Sequence, residues 1–263
     1  MADIVESRIK GKRVVASAAY SLEGVTVMTP TIARRVIIPS LNFVTGVELA
    51  DGRIFAARRE VILSAGSIRT PQLLMLSGIG AAKELEKHGI GQIVDAPEVG
   101  RNLWDHLGLI VTYKLRHPEI GTAVGSPGWV DPLFQNGNPI DWFTTSSVPR
   151  EALKAALSQD SGTDIPDDHH LLSSPRCHLA FFVQYVGRPI DGTLITGYAL
   201  NKLPPSRRRV SLASSDPGDK PKFDNNHFST EADRYRLRTG LRLVSKMFNT
   251  PVGERNSCWE GGA

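Results

Sequence analysis

The residues that could do chemistry fall into a few short groups. The first is a small-residue turn, Ala65-Gly66-Ser67. These residues have almost no side chain, so a ligand can come close to the backbone. The second is Asp105-His106, which has the composition of an acid–base pair. The third is Asp167-Asp168-His169-His170, which has the composition of a metal cluster. Adjacent histidines on a loop rarely share one ion, and no third ligand stands at a defined spacing, so no metal site is expected. Cys177 and Cys258 are the two cysteines. They cannot build a disulfide framework, and neither has a metal-ligand neighbour at short spacing. Arg207-Arg208-Arg209 is the densest basic run. Three arginines suit a solvated strand entry better than a nucleic-acid surface.

The elements that must position these groups can be read from pattern. Before the turn, Val61-Ile62-Leu63 is a continuous apolar run, which predicts a strand buried on both faces. After it, Thr70 is a good N-cap and Pro71 would occupy the first helical position. Leu73, Leu74, Met75 and Leu76 make that helix apolar on most sides, and Gly78 is a natural stop. Upstream, the Ala-rich segment ending at Tyr20 favours helix. Residues 25–29, 31–38 and 43–49 read as strands, and Asp51-Gly52 as a hairpin turn. Downstream, Ala81 to His88 is a short charged helix stopped by Gly89, with His88 a surface residue favoured by the helix dipole. Residues 109–115, 180–186, 193–200 and 210–213 read as strands. The spacing of the middle two suits a hairpin, and the set suggests an antiparallel sheet. Residues 117–150 read as irregular loops followed by a short helix from Glu151. Thr230 and Asp233 form a capping pair for a last helix, whose stripe Leu237, Leu241, Val244 and Phe248 is explained by core packing.

Composition is that of an ordinary globular chain. Of 263 residues, 41% are hydrophobic and 22% charged, with a net charge of +4, enough for one large domain or two modest ones. No apolar run reaches the roughly 18 residues that a membrane span needs. Met1 to Ser7 carries two acids and no apolar core, unlike a secretory signal. Localisation and oligomeric state are left open.

The stretch Gly66 to Gly80 resembles the second signature of the glucose-methanol-choline family of flavoenzymes. The match includes the small pair at the start, Thr70-Pro71, Leu73-Leu74 and Ser77-Gly78-Ile79-Gly80. Further segments are similar to that family: Ala19-Tyr20, Val25-Thr26-Val27, Ile32 to Arg34, Gly46-Val47-Glu48, Asp51-Gly52, and Arg59 to Leu63. Val99-Gly100-Arg101-Asn102-Leu103 with Asp105-His106 resembles the family's segment beside the flavin. Ser206 to Leu212 resembles a later strand, with Arg208 where glycine is usual. The resemblance implies an α/β part joined to an α+β part: a partial FAD-binding doubly wound domain over residues 1–106, then a substrate-binding domain with a mainly antiparallel sheet over 107–263. It implies FAD as cofactor, held by Ile32, Ala65, Gly66, Ser67 and Asn102. Ile32 would meet the adenine through its backbone, or else be plain core. His106 is expected to support the fold.

By the same resemblance the activity is FAD-dependent oxidation of the CH–OH group of a small-molecule alcohol, without nucleic-acid or membrane partners. Two segments the family uses are not found. One is a Gly-x-Gly-x-x-Gly turn that faces the pyrophosphate. The other is a His-Pro-Val-Gly segment with the catalytic base; His117-Pro118 lies out of order. The chain is therefore expected to be a middle fragment, truncated and inactive alone, with no catalytic residue assigned. The alternatives are a non-enzymatic partner module on the same fold, and a non-redox lyase or cyclase.

Overall fold

The computed structural model describes residues 8–9, 12–40, 43–132, 137–140, 142–173, 176–224, 226–251 and 257–258. The elements begin with β1 (Arg8–Ile9), β2 (Lys12–Arg13), α1 (Ala16–Ala19), β3 (Ala33–Ile37), β4 (Gly46–Leu49) and β5 (Ile54–Ala56). They continue with α2 (Gly66–Leu76), β6 (Ile79–Gly80), α3 (Ala82–Glu86), β7 (Val94–Asp95) and β8 (Leu107–Leu115). The remainder are β9 (Thr144–Ser146), α4 (Arg150–Ser161), β10 (Leu179–Gln184), β11 (Leu194–Asn201), β12 (Arg209–Ser211), β13 (Lys222–Asp224), α5 (Glu231–Phe248) and β14 (Ser257–Cys258). The N-terminal reading of Met1 to Ser7 lies outside the described residues.

Two compact units form, and they are interleaved along the chain. One comprises residues 1–23, 105–205 and 228–263; the other comprises 24–104 and 206–227. The sequence reading draws a single line at 106/107. The short stretch Ser206–His227, which it counts with the later part, packs with residues 24–104 instead.

The first unit is built on a five-stranded antiparallel sheet in the order β14-β8-β11-β10-β9. β10 and β11 pair from Leu179↔Asn201 to Gln184↔Thr196, as the hairpin spacing predicts. Helix α5 covers this sheet and α4 packs on α5; Leu153, Leu157, Val244 and Phe248 are buried in one cluster with Leu179, Phe181 and Ile195. The start of α5 follows from local chemistry: Thr230 Oγ1 accepts from Asp233 N at 3.2 Å, and such a cap is worth about 1 kcal/mol. Gly197 and Gly240 lie where a Cβ would press on Val244 and Ala199, which lets α5 sit close to the sheet.

The second unit has the three-stranded antiparallel meander β3-β4-β5, the small ladder β12-β13 and the parallel pair β6-β7. The Asp51-Gly52 turn joins β4 to β5, with Gly52 at φ +87°. A small core of Met75, Leu76, Leu85, Val210 and Leu212 holds α2, α3 and β12 together. Gly78 ends α2 at φ +79°, directly after the cap residue Ser77, the geometry that glycine adopts most cheaply.

Three local expectations are corrected. Helix α2 begins at Gly66, not after Thr70, so Pro71 lies inside it. The start is set upstream, where Gly66 takes φ +79°. The amide that Pro71 lacks would have bonded the carbonyl of Ser67, which is solvent-exposed, so water can replace it. Val61 to Leu63 is not a buried parallel strand. It pairs with no described strand, and Ile62 is 75% exposed. An apolar run marks a buried strand only where the rest of the fold supplies both flanking strands, and no described strand does so. Residues 25–29 likewise lack ladder partners, with Val25 and Val27 exposed.

Candidate functional site

Ile32 and Ala65 are 33 positions apart in the chain and line the same cavity of about 290 Å³ in the second unit. Ile32 stands just before β3, held by its carbonyl, which accepts from Ala50 N at 2.9 Å. Ala65 is the N-cap residue of α2 and offers no side-chain hydrogen bond. Leu73 and Leu76 on α2 add apolar wall, and Pro217 closes a further side.

The Pro217 wall is pinned by two polar side chains of α2. Arg69 Nη1 donates to Gln72 Oε1 at 2.7 Å, to Asp219 O at 2.9 Å and to Pro217 O at 3.3 Å. Gln72 Nε2 donates to Asp219 O at 2.9 Å. Gln72 is only 3% exposed, so its amide is committed to this clamp. The loop is braced internally as well. Ser214 Oγ donates to Asp219 Oδ2 at 2.6 Å, and Gly218 N donates to Asp216 Oδ1 at 2.8 Å.

The other residues assigned from sequence are placed as follows. Gly66 adjoins Ala65 and is required by its φ of +79°, since an added Cβ would meet nothing within 4 Å. Its constraint is backbone conformation rather than crowding. Ser67 is exposed on the first turn of α2 and does not line the cavity. Asn102 is exposed at φ 56°, and its Nδ2 donates to Glu98 Oε2 at 2.9 Å. It too lies outside the lining. Sequence reasoning missed Arg69, Gln72 and Pro217. The signal for Gln72 was available: a polar side chain directly before the apolar run Leu73 to Leu76, three residues after an arginine.

Of the titratable groups, His178 in the first unit is buried beside a cavity of about 140 Å³. Val148 N donates to its Nδ1 at 3.4 Å, and its Nε2 lies 2.8 Å from Leu171 O. These partners assign the proton to Nε2. Burial pushes its pKa down, and the nearby Arg236 and Arg176 add to that. Both ring nitrogens are occupied, so this histidine is not placed to move a proton. Among the described residues no group of three or more His, Cys, Asp or Glu is placed to hold a metal ion. None of the described helices is long and apolar enough to cross a membrane.

Comparison with known proteins places this geometry in a family. The profiles described as GMC oxidoreductase match residues 6–108 and 204–260. The chain belongs to the GMC oxidoreductase family. A GMC-type oxidoreductase, acuG, of Aspergillus aculeatus is 40% identical over 245 residues, covering 89% of this chain and 46% of that protein. An alcohol dehydrogenase [acceptor] of Pseudomonas putida is 36% identical over 201 residues, covering 73% of this chain and 34% of that protein. Among solved structures, a formate oxidase of Aspergillus oryzae RIB40, studied for its FAD modification, has a TM-score of 0.72 at 25% identity, covering 90% of this chain and 46% of that one. A pyridoxine 4-oxidase has a TM-score of 0.73 at 21% identity and shares the fold over 97% of this chain. The GMC chain described here thus spans about half the length, or less, of these relatives. Its mixture of helices with mainly antiparallel sheets is the GMC fold.

Proposed function

We propose that this chain is part of an FAD-dependent oxidoreductase acting on the CH–OH group of a small alcohol, and that the cavity between Ile32 and Ala65 receives the adenine end of the cofactor. The observation that supports this most is the convergence of two residues assigned from sequence on one mostly apolar cavity. At about 290 Å³ the cavity lies at the small end of ligand sites, which start near ~300 Å³. That suits one end of a dinucleotide and not the whole. Flat apolar walls from Ile32, Leu73 and Pro217 suit the faces of a purine ring.

Bound FAD would accept the hydride from the donor carbon. The chain's own residues bind and orient. Ile32 and Leu73 exclude water from the base, the Arg69–Gln72 clamp holds Pro217 against it, and Gly66 supplies the positive φ with which the chain turns into α2. Of the residues assigned from sequence, Ser67 and Asn102 would touch parts of the cofactor beyond this cavity. No side chain on these residues can take a proton from an alcohol. We therefore read the 263 residues as holding the adenine end weakly and oxidising no alcohol alone.

The test is to express residues 1–263 and titrate AMP, FAD and FMN by calorimetry. Saturable binding of AMP and FAD, with none of FMN, is expected. FAD should be lost on desalting, and no primary alcohol should bleach it. Absence of saturable AMP binding overturns the cavity assignment. A desalted yellow protein that bleaches with an alcohol overturns the inactivity.

A further inference from the structure

The second unit holds a further cavity. It encloses about 500 Å³ and shares only Leu76 with the cavity at Ile32. Its apolar wall comes from Val36, Leu76, Ile90 and Ile93, and Gly78, Gly89 and Gly91 bring bare backbone to its edge. The only ionisable groups in its lining are Arg34, Arg35 and Glu48.

Those three groups are arranged in an unusual way for a strand. Consecutive residues of a regular strand point to opposite faces. Here the β3–β4 register shifts between Ala33 and Arg35. Such a bulge re-aims side chains. As a result Arg34 and Arg35 both reach the same carboxylate: Arg35 Nε lies 2.7 Å from Glu48 Oε2, and Arg34 Nε lies 3.7 Å from Glu48 Oε1. Both arginines approach Glu48 through Nε, so their Nη groups donate to no described protein group. The lining therefore carries two guanidiniums against one carboxylate. One positive charge and a set of paired donors are left over beside an apolar wall.

We propose that this cavity binds an amphipathic monocarboxylate, with its carboxylate on the Nη groups of Arg34 and Arg35 and its hydrocarbon body along Leu76, Ile90 and Ile93. A guanidinium fork matches a carboxylate in geometry. The single unbalanced charge matches a monoanion rather than a phosphate dianion, and the wall rewards an alkyl or aryl body.

The test uses the whole chain and octanoate as probe. Calorimetric titration should show octanoate binding that saturates below 10 mM, as expected (~10⁻⁴–10⁻³ M) for one charged contact plus a short chain. Octanol and inorganic phosphate should bind at least about tenfold more weakly, because each lacks one half of the recognition. Arg34→Gln should weaken octanoate by about tenfold while leaving the melting temperature unchanged, since the exposed Arg34 only approaches Glu48 at 3.7 Å. Arg53→Gln, on the β4–β5 turn and paired with Asp51, should change nothing. Saturating AMP should leave octanoate binding as it was, which separates this site from the one at Ile32. The proposal is overturned if octanoate fails to saturate, if octanol binds equally well, or if Arg34→Gln binds like the parent chain. The first two outcomes are read on the unmodified chain and do not depend on any variant folding.

Discussion

Replacing Gln72 by leucine tests whether the α2 clamp holds the loop that walls the cavity. Leucine is close to glutamine in length and keeps the buried packing beside Met75 and Leu76. Two hydrogen bonds are lost: the one Gln72 Nε2 donates to Asp219 O and the one its Oε1 accepts from Arg69. Neither loss strands a buried group. Asp219 and Arg69 are both exposed, and Asp219 O keeps its bond from Arg69 at 2.9 Å. The cost is therefore the net worth of one neutral and one charge-assisted bond, with water replacing part of the second, about 2 kcal/mol. For a chain of this size that corresponds to a melting temperature lowered by roughly 4–8 °C. The loop should also open. Endoproteinase Asp-N should cut before the exposed Asp219 faster in the variant than in the parent, and AMP affinity should fall with it. Arg69→Leu should behave similarly, and the double variant should cost less than the sum of the two, because they share a bond. A melting temperature within about 1 °C of the parent with equal cleavage would show that the clamp does not hold the loop.

Three further outcomes are expected. Ile62→Lys should change stability by less than about 0.5 kcal/mol because Ile62 is 75% exposed; an unfolding free energy from chemical denaturation lowered by the several kcal/mol of a buried strand position would restore the reading from sequence. Arg236 is fully buried, donates to Leu203 O, and has Nε and Nη2 without a partner; burial pulls its pKa down to about 10 against the opposing pull of Asp233 and Asp160. Arg236→Met should cost about 3–5 kcal/mol because it removes the opposite charge beside the buried Asp233, and adding Asp233→Asn should recover part of that loss, as read by urea unfolding. His178 has its pKa lowered in the folded chain, so the unfolded chain binds the extra proton first. Its contribution to stability is full above the unfolded value near 6.5 and is lost as pH falls toward the lower folded value. The melting temperature should therefore drop from pH 7.5 to 5.5, and less so in His178→Gln.

What the sequence made legible was local. Thr230 and Asp233 are three residues apart, so the cap of α5 needs no knowledge of the fold. The β10–β11 hairpin is legible for the same reason, as is the stop at Gly78. The cavity was legible only in part. Ile32 and Ala65 came from resemblance, while Pro217 arrives from 150 residues away and leaves no periodic trace. Gln72 carried a local signal, but Arg69 looks like an ordinary polar position on a helix until the loop it bonds is in place.

The harder failures share one cause. Hydrophobic pattern states that a segment can pair, not with what. Val210 to Ala213 reads as one more strand of the later antiparallel sheet, yet β12 pairs with β13 and Val210 N donates to Gly100 O at 2.6 Å. That contact depends on a residue chosen far upstream. Gly100 sits at φ +79°, and a Cβ there would press into the carbonyl of Val210. The glycine that seemed to belong to a flavin-side motif therefore also decides which unit β12 joins. The same logic governs Val61 to Leu63. Its apolar run is a capacity for burial that no described strand meets, and Ile62 remains in solvent. Long-range partners, rather than local propensity, separate the two segments: one found its edge and became core, and the other did not.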